Sequence, residues 1–110
     1  MKQGEIWYAN LDPTRGSEQQ GARPVVIISG NVLNTHLPVV IACPLTSKIK
    51  DYKGNIILKP DKKNGLSEKS EVMVFHIRSI SKTRLFKKTG DITAGQLKSI
   101  KQGLDDILRY

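Results

Sequence analysis

Arg23 is the first side chain whose setting suggests chemistry. It stands between a long polar stretch, residues 12–22, and the apolar run Pro24 to Ser29 (PVVIIS). At the mouth of a buried strand its guanidinium is expected to be held in place, and a fixed fork of N–H donors suits a phosphate. An ion pair with Glu18 is the plainer alternative. Ser17, Glu18, Gln19 and Gln20 in the same stretch offer groups that contact phosphates, sugars and base edges. Loops of that length are usually functional or disordered, although a solvated hairpin tip would read the same way. A second stretch, Pro44-Leu45-Thr46-Ser47-Lys48, sets two hydroxyls and an ammonium at a strand end. They could bind phosphate oxygens, or Thr46 and Ser47 could be turn formers or helix caps. The third is Phe75-His76-Ile77-Arg78. On a strand, Phe75 and Ile77 face one side and His76 and Arg78 the other. His76 could serve as general base or acid, since imidazole titrates near neutrality, or be a polar residue on a half-exposed strand. His36, beside an expected loop at Asn34, offers less.

Other chemistries find no support. The sequence has no Walker-type glycine loop, no His-x-x-x-His and no acidic cluster of metal-binding type, so neither metal nor cofactor is expected. Cys43 is the only cysteine, which removes intrachain disulfides and multi-thiolate zinc sites. In an apolar strand it reads as buried and inert. Aromatic residues are too few for an extended base-stacking platform. The net charge of +8, from 18 Lys and Arg against 10 Asp and Glu, favours a polyanionic partner, because each neutralised phosphate releases counterions. No run of 18 apolar residues exists for a membrane span, and no signal-peptide stretch opens the chain. A cytoplasmic protein of one domain, 1–110, is expected.

The elements that must position these residues are short strands followed by one helix. Strands are expected over Glu5–Asn10 (closed by Asp12-Pro13), Pro24–Ser29 (buried on both faces), Val39–Cys43 (ended by Pro44), Asn55–Leu58 after the turn at 52–54, and Glu71–Ile77. Gly, Pro, Asn and Asp punctuate them, as in a strongly curved antiparallel sheet or small barrel. Leu97, Ile100, Leu104, Ile107 and Leu108 recur at helical spacing on one face. Thr93 with Gln96 forms a capping-box pattern. Gly95 and Gly103 weaken this helix by about 1 kcal/mol each relative to Ala, so it needs the sheet to pack against. The fold class is α+β, mostly β, with a C-terminal helix.

Together these segments resemble a known family. Gly4-Glu5-Ile6-Trp7, Asp12-Pro13-Thr14 and Gly16 through Val25 (GSEQQGARPV) are similar to the N-terminal signature of the MazF/PemK (Kid) toxins. Pro44-Leu45-Thr46-Ser47 resembles the second family block, and Ile77 through Leu85 (IRSISKTRL) the third. The blocks occur in the family's order and span nearly the whole chain. The resemblance implies a compact SH3-like barrel with a C-terminal helix, a MazF/CcdB-like toxin fold. It implies a homodimer that cleaves single-stranded mRNA at short motifs without metal, leaving a 2′,3′-cyclic phosphate and a 5′-hydroxyl. It also implies an antitoxin that blocks the groove with an acidic, disordered tail. Arg23 matches the family's catalytic Arg, and Thr46 its catalytic Thr or the neighbour. Ser17, Gln19, Gln20, Ser47, Lys48 and Arg78 are the expected RNA contacts. The chain departs from the Kid-like members, which carry His at the position of Ser17 and Arg and Asp at those of Met73 and Phe75. Their proposed acid and base are therefore missing, and Glu18 and His76 remain as candidates for the base. The related CcdB toxins, which bind DNA gyrase without nuclease activity, give the alternative reading. The chain's end, Ile107-Leu108-Arg109-Tyr110, does not look like theirs.

Overall fold

The computed structural model describes residues 1–11 and 22–110. In chain order the elements are β1 (Glu5–Asn10), β2 (Ala22–Ile27), α1 (Asn31–His36), β3 (Val39–Thr46), β4 (Ile56–Leu58), β5 (Ser70–Val72), β6 (Arg78–Ser81), β7 (Leu85–Asp91) and α2 (Ala94–Arg109). Single 3-10 turns occupy Val74–His76 and Lys82–Arg84. The strands run in the order β4-β5-β3-β2-β1-β7, and β6 also pairs with β3. Every pairing is antiparallel.

Strand β3 explains the curvature. One edge pairs with β2. The other pairs with β6 over Val39–Ala42 and with β5 over Leu45–Thr46. β3 thus passes from one partner to the other along a single edge, and the sheet curls into half a barrel. Pro44 does not end the strand, contrary to the expectation. It falls where the partner changes from β6 to β5, a place where a missing N–H costs no ladder bond, and its carbonyl accepts from Met73 N at 2.9 Å.

The β2 run is buried on both faces, as expected. Val26 and Ile28 join one apolar cluster with Ile6, Cys43, Leu45 and Ile100, while Val25 and Ile27 join another with Ala9, Val40 and Ile80. Helix α2 closes the first cluster. Gln96 N donates to Thr93 Oγ1 at 3.0 Å and Thr93 N to Gln96 Oε1 at 2.8 Å, so the capping box is formed. Ile100 is fully buried, and Leu97 and Leu104 pack beside it. Ile107 and Leu108 are exposed, so the apolar stripe reaches the core only through its first three members. Among the described residues no helix is long and apolar enough to cross a membrane.

Two further expectations are corrected. Asn34 lies in helix α1, not in a loop, and is buried with its amide bonded to Ser29 O at 2.9 Å. The strand expected over Glu71–Ile77 stops at Val72. Asn55 Oδ1 accepts from Val74 N at 3.0 Å, and His76 N then donates to Met73 O at 3.0 Å. A side-chain acceptor thus takes the place of a strand partner and releases the chain into a turn.

Candidate functional site

The β1–β2 register sets Arg23 beside Ala9, and β2 meets β3 at Val25 and Pro44. Continuing that antiparallel register outward by two residues brings Arg23 opposite Thr46, where directly facing side chains share one face. Both residues border two adjoining hollows. One, of about 350 Å³, is completed by Tyr8, Ser47, Lys48, Glu68 and Ser70. The other, of about 330 Å³, is completed by Lys48, Lys50, Tyr52, Met73, Phe75 and His76. Arg23, Thr46 and Lys48 belong to both, so the hollows are two arms of one groove meeting at that trio.

Thr46 is half-buried, and its Oγ1 accepts from Lys48 N at 3.1 Å. That bond is the turn-forming role weighed above, and it leaves the hydroxyl proton free to donate to a ligand. Ser47 and Lys48 are exposed on the same rim. Arg23 is exposed too, and among the described residues no hydrogen bond or ion pair holds its guanidinium. Glu18, the alternative partner weighed for it, lies outside the described residues. β2 becomes buried only from Val25 onward, so Arg23 lies outside the seal.

His76 enters the groove, in contrast to the strand reading. Alternation of faces holds only while a strand lasts, and a 3-10 turn sends successive side chains around the axis instead. Phe75 and His76 accordingly line the same hollow, with ring centroids 4.6 Å apart. Arg78 is exposed on β6 and borders neither hollow. Ser17, Glu18, Gln19 and Gln20 lie outside the described residues. His36 is exposed at the end of α1. Cys43 is fully buried, and burial pushes its thiol up to about 12, which fits the inert role expected of it.

The residue that organises this groove is Glu71, which enters the sequence reading only as the start of an expected strand. It is fully buried and is the β5 partner of Thr46. Its Oε1 accepts from the backbone N–H groups of Lys50 (2.7 Å) and Asp51 (2.9 Å). Its Oε2 accepts from Tyr52 N (2.9 Å) and Asn55 Nδ2 (2.8 Å). Burial alone would push the carboxyl up, but these bonds to the ionised form, Asn55 first, outweigh it and hold the group down to about 2. Asp51 takes a positive φ of 54°, which aims three consecutive N–H groups at one anion. One signal was available: a carboxylate on an expected strand must find donors wherever its face is buried, or not be ionised. Glu68, on the rim beside Thr46, was likewise not singled out.

Comparison with known proteins points to one family. The family described as PemK-like, MazF-like toxin of type II toxin-antitoxin system matches residues 2–108. The chain is similar to the endoribonuclease MazF of Staphylococcus saprophyticus, 33% identical over 106 residues, which span 96% of this chain and 88% of that one. Among solved structures, a MazF from Deinococcus radiodurans matches with a TM-score of 0.81 at 28% identity, covering 100% of this chain and 97% of that one. A mycobacterial endoribonuclease in complex with its cognate antitoxin matches with a TM-score of 0.79 at 23% identity, covering 98% and 94%. At that identity the likeness is one of fold.

Proposed function

We propose how the groove works from one premise: this chain belongs to the PemK-like, MazF-like toxins of type II toxin-antitoxin systems. It is a MazF-like endoribonuclease. Its substrate is single-stranded mRNA, cut at a short sequence motif without a metal ion. The observation that carries this reading is that Arg23 and Thr46, from β2 and β3, both line the two hollows where the arms of the groove meet. A guanidinium and a hydroxyl there can donate to the non-bridging oxygens of one phosphodiester.

In such a site the ribose 2′-oxygen attacks the adjacent phosphorus. The O2′–P bond forms and the P–O5′ bond breaks, leaving a 2′,3′-cyclic phosphate and a 5′-hydroxyl. One proton leaves the 2′-hydroxyl and one arrives at the 5′-oxygen. Negative charge gathers on the phosphorane oxygens, and donors placed in advance stabilise it there. Arg23 takes that role and can donate toward the leaving oxygen, while Thr46 holds the phosphate with Ser47 and Lys48 beside it. Arginine stays protonated and is a poor base. His76, on the groove wall, is the described residue best placed to accept the 2′-proton, with Glu18 its competitor. The exposed cations Lys48 and Lys50 attract the RNA backbone and equally an acidic, disordered antitoxin tail. The protein works in the cytoplasm as a homodimer. A gyrase-binding toxin would have no use for the Arg23–Thr46 pair.

The test is incubation of the purified protein with single-stranded RNA in EDTA and mapping of the product ends. Cleavage that survives chelation and leaves cyclic phosphate ends is expected. Intact RNA alongside a stable gyrase complex would overturn the assignment.

A further inference from the structure

The hollow that carries His76 has an aromatic wall that phosphate chemistry does not need. Tyr52 and Phe75 meet edge to face, with centroids 5.7 Å apart and planes at 61°. Phe75 in turn meets the His76 ring. Tyr52 is 49% exposed and Phe75 45% exposed. In contact with each other they make one contiguous exposed apolar patch, and such patches mark interaction sites. They are also held in place by a common support. Glu71 takes the backbone N–H of Tyr52, Asn55 takes the backbone N–H of Val74 just before Phe75, and Asn55 and Glu71 bond each other. The backbones that carry the two rings, from distant segments, are thus anchored through buried Glu71 and half-buried Asn55. The same hollow opens on Arg23 and Thr46.

We propose that Tyr52 and Phe75 form a preformed stacking seat for one unpaired base of the RNA, flanking the phosphate held by Arg23 and Thr46. This rests on the nuclease reading above. A π-face accepts any base, and larger ring systems stack better, so the seat favours a purine over a pyrimidine at that one position. Lys48 and Lys50 on the same rim meet the phosphates on either side of the seated base. The chain therefore has one position of base preference built from aromatic rings, where the Kid-like pattern has a carboxylate.

The experiment uses a set of single-stranded RNA substrates in which one nucleotide at a time around the cut is abasic. For the unaltered protein, one flanking position should show a fall in kcat/KM of roughly 5- to 150-fold, the range expected for losing one stacked base. Phe75→Ala and Tyr52→Ala should each impair cleavage of the intact substrate, and should largely erase the penalty at that same position and no other. Phe75→Tyr should keep it. An abasic penalty that persists unchanged in Phe75→Ala overturns the seat while leaving the nuclease assignment standing. If the unaltered protein cleaves nothing, the nuclease reading fails by itself. The seat is then judged by binding of RNA carrying 2-aminopurine, whose fluorescence a stacked ring quenches. Quenching that Phe75→Ala abolishes upholds the seat, and equal fluorescence in both proteins overturns it. Thermal melts of each variant guard against misfolding, and the half-exposed rings make unfolding an unexpected result.

Discussion

On the proposed reading the Arg23 guanidinium and the Thr46 hydroxyl do different work on one phosphorus, and substitution should separate them. Arg23→Ala and Thr46→Ala are each expected to lower the single-turnover cleavage rate by about 10²- to 10³-fold, the usual cost of losing one transition-state donor. Arg23→Lys should recover only part of the loss, because an ammonium is a point charge without the planar fork. The double variant should lose less than the product of the single losses, since both groups serve the same phosphorane. Multiplicative losses would mean that the two act on separate steps. Both residues were legible in the sequence, because each flanks an apolar run inside a distinctive polar block. The side on which His76 lies was not legible. Its placement depends on Asn55 capping Val74 from 19 residues away, and no local pattern carries that information.

The Glu71–Asn55 support is a matter of elements, because it ties β5, the 50–52 loop and the 74–76 turn together. Glu71 is held at about 2 in the folded chain against an ordinary 4.5. A carboxyl depressed in this way adds stability that is complete above about pH 4.5. That stability is lost as pH falls toward 2, and its size is on the order of 3 kcal/mol. Glu71→Gln would turn an amide N–H₂ toward N–H donors, so it should be clearly less stable than the parent in urea melts at pH 7. The gap should shrink by pH 3, and a gap of equal size at both pH values would remove the carboxylate from this role. The two helix glycines make a second element-scale comparison. A Cβ at Gly103 would sit 2.2 Å from Gly54 O, whereas at Gly95 it would meet only Thr93 Oγ1 at 3.9 Å. Gly95→Ala should therefore gain about 1 kcal/mol, and Gly103→Ala should lose about 1–3 kcal/mol from overpacking. Thermal melts decide it, and equal gains at both positions would contradict the close approach. Spacing and the capping box made the helix legible, but the sequence treated the two glycines as equivalent. Only the tertiary contact distinguishes them.

For the molecule as a whole, the fold class and the order of the family blocks were readable, because apolar runs and turn residues are local signals. The curl was not, since it arises from β3 changing partners between β6 and β5, a choice made by segments far apart in sequence. Helix α1 escaped notice because six residues are too few for a periodicity to declare itself. What fixes it is buried Asn34 bonding back to Ser29. Cys43 sits on β3 opposite Val26, sealed from solvent. The chain thereby carries a native clock for its own opening. A small alkylating reagent can reach that sulfur only when the central strands part, so its labelling rate measures how often they do so. In native buffer, labelling should run at least about 10³-fold slower than in denaturant, and prompt modification of the folded protein would show the seal to be incomplete. With no second thiol in the sequence to confuse the signal, the same measurement ranks the steadiness of every variant without any RNA being present.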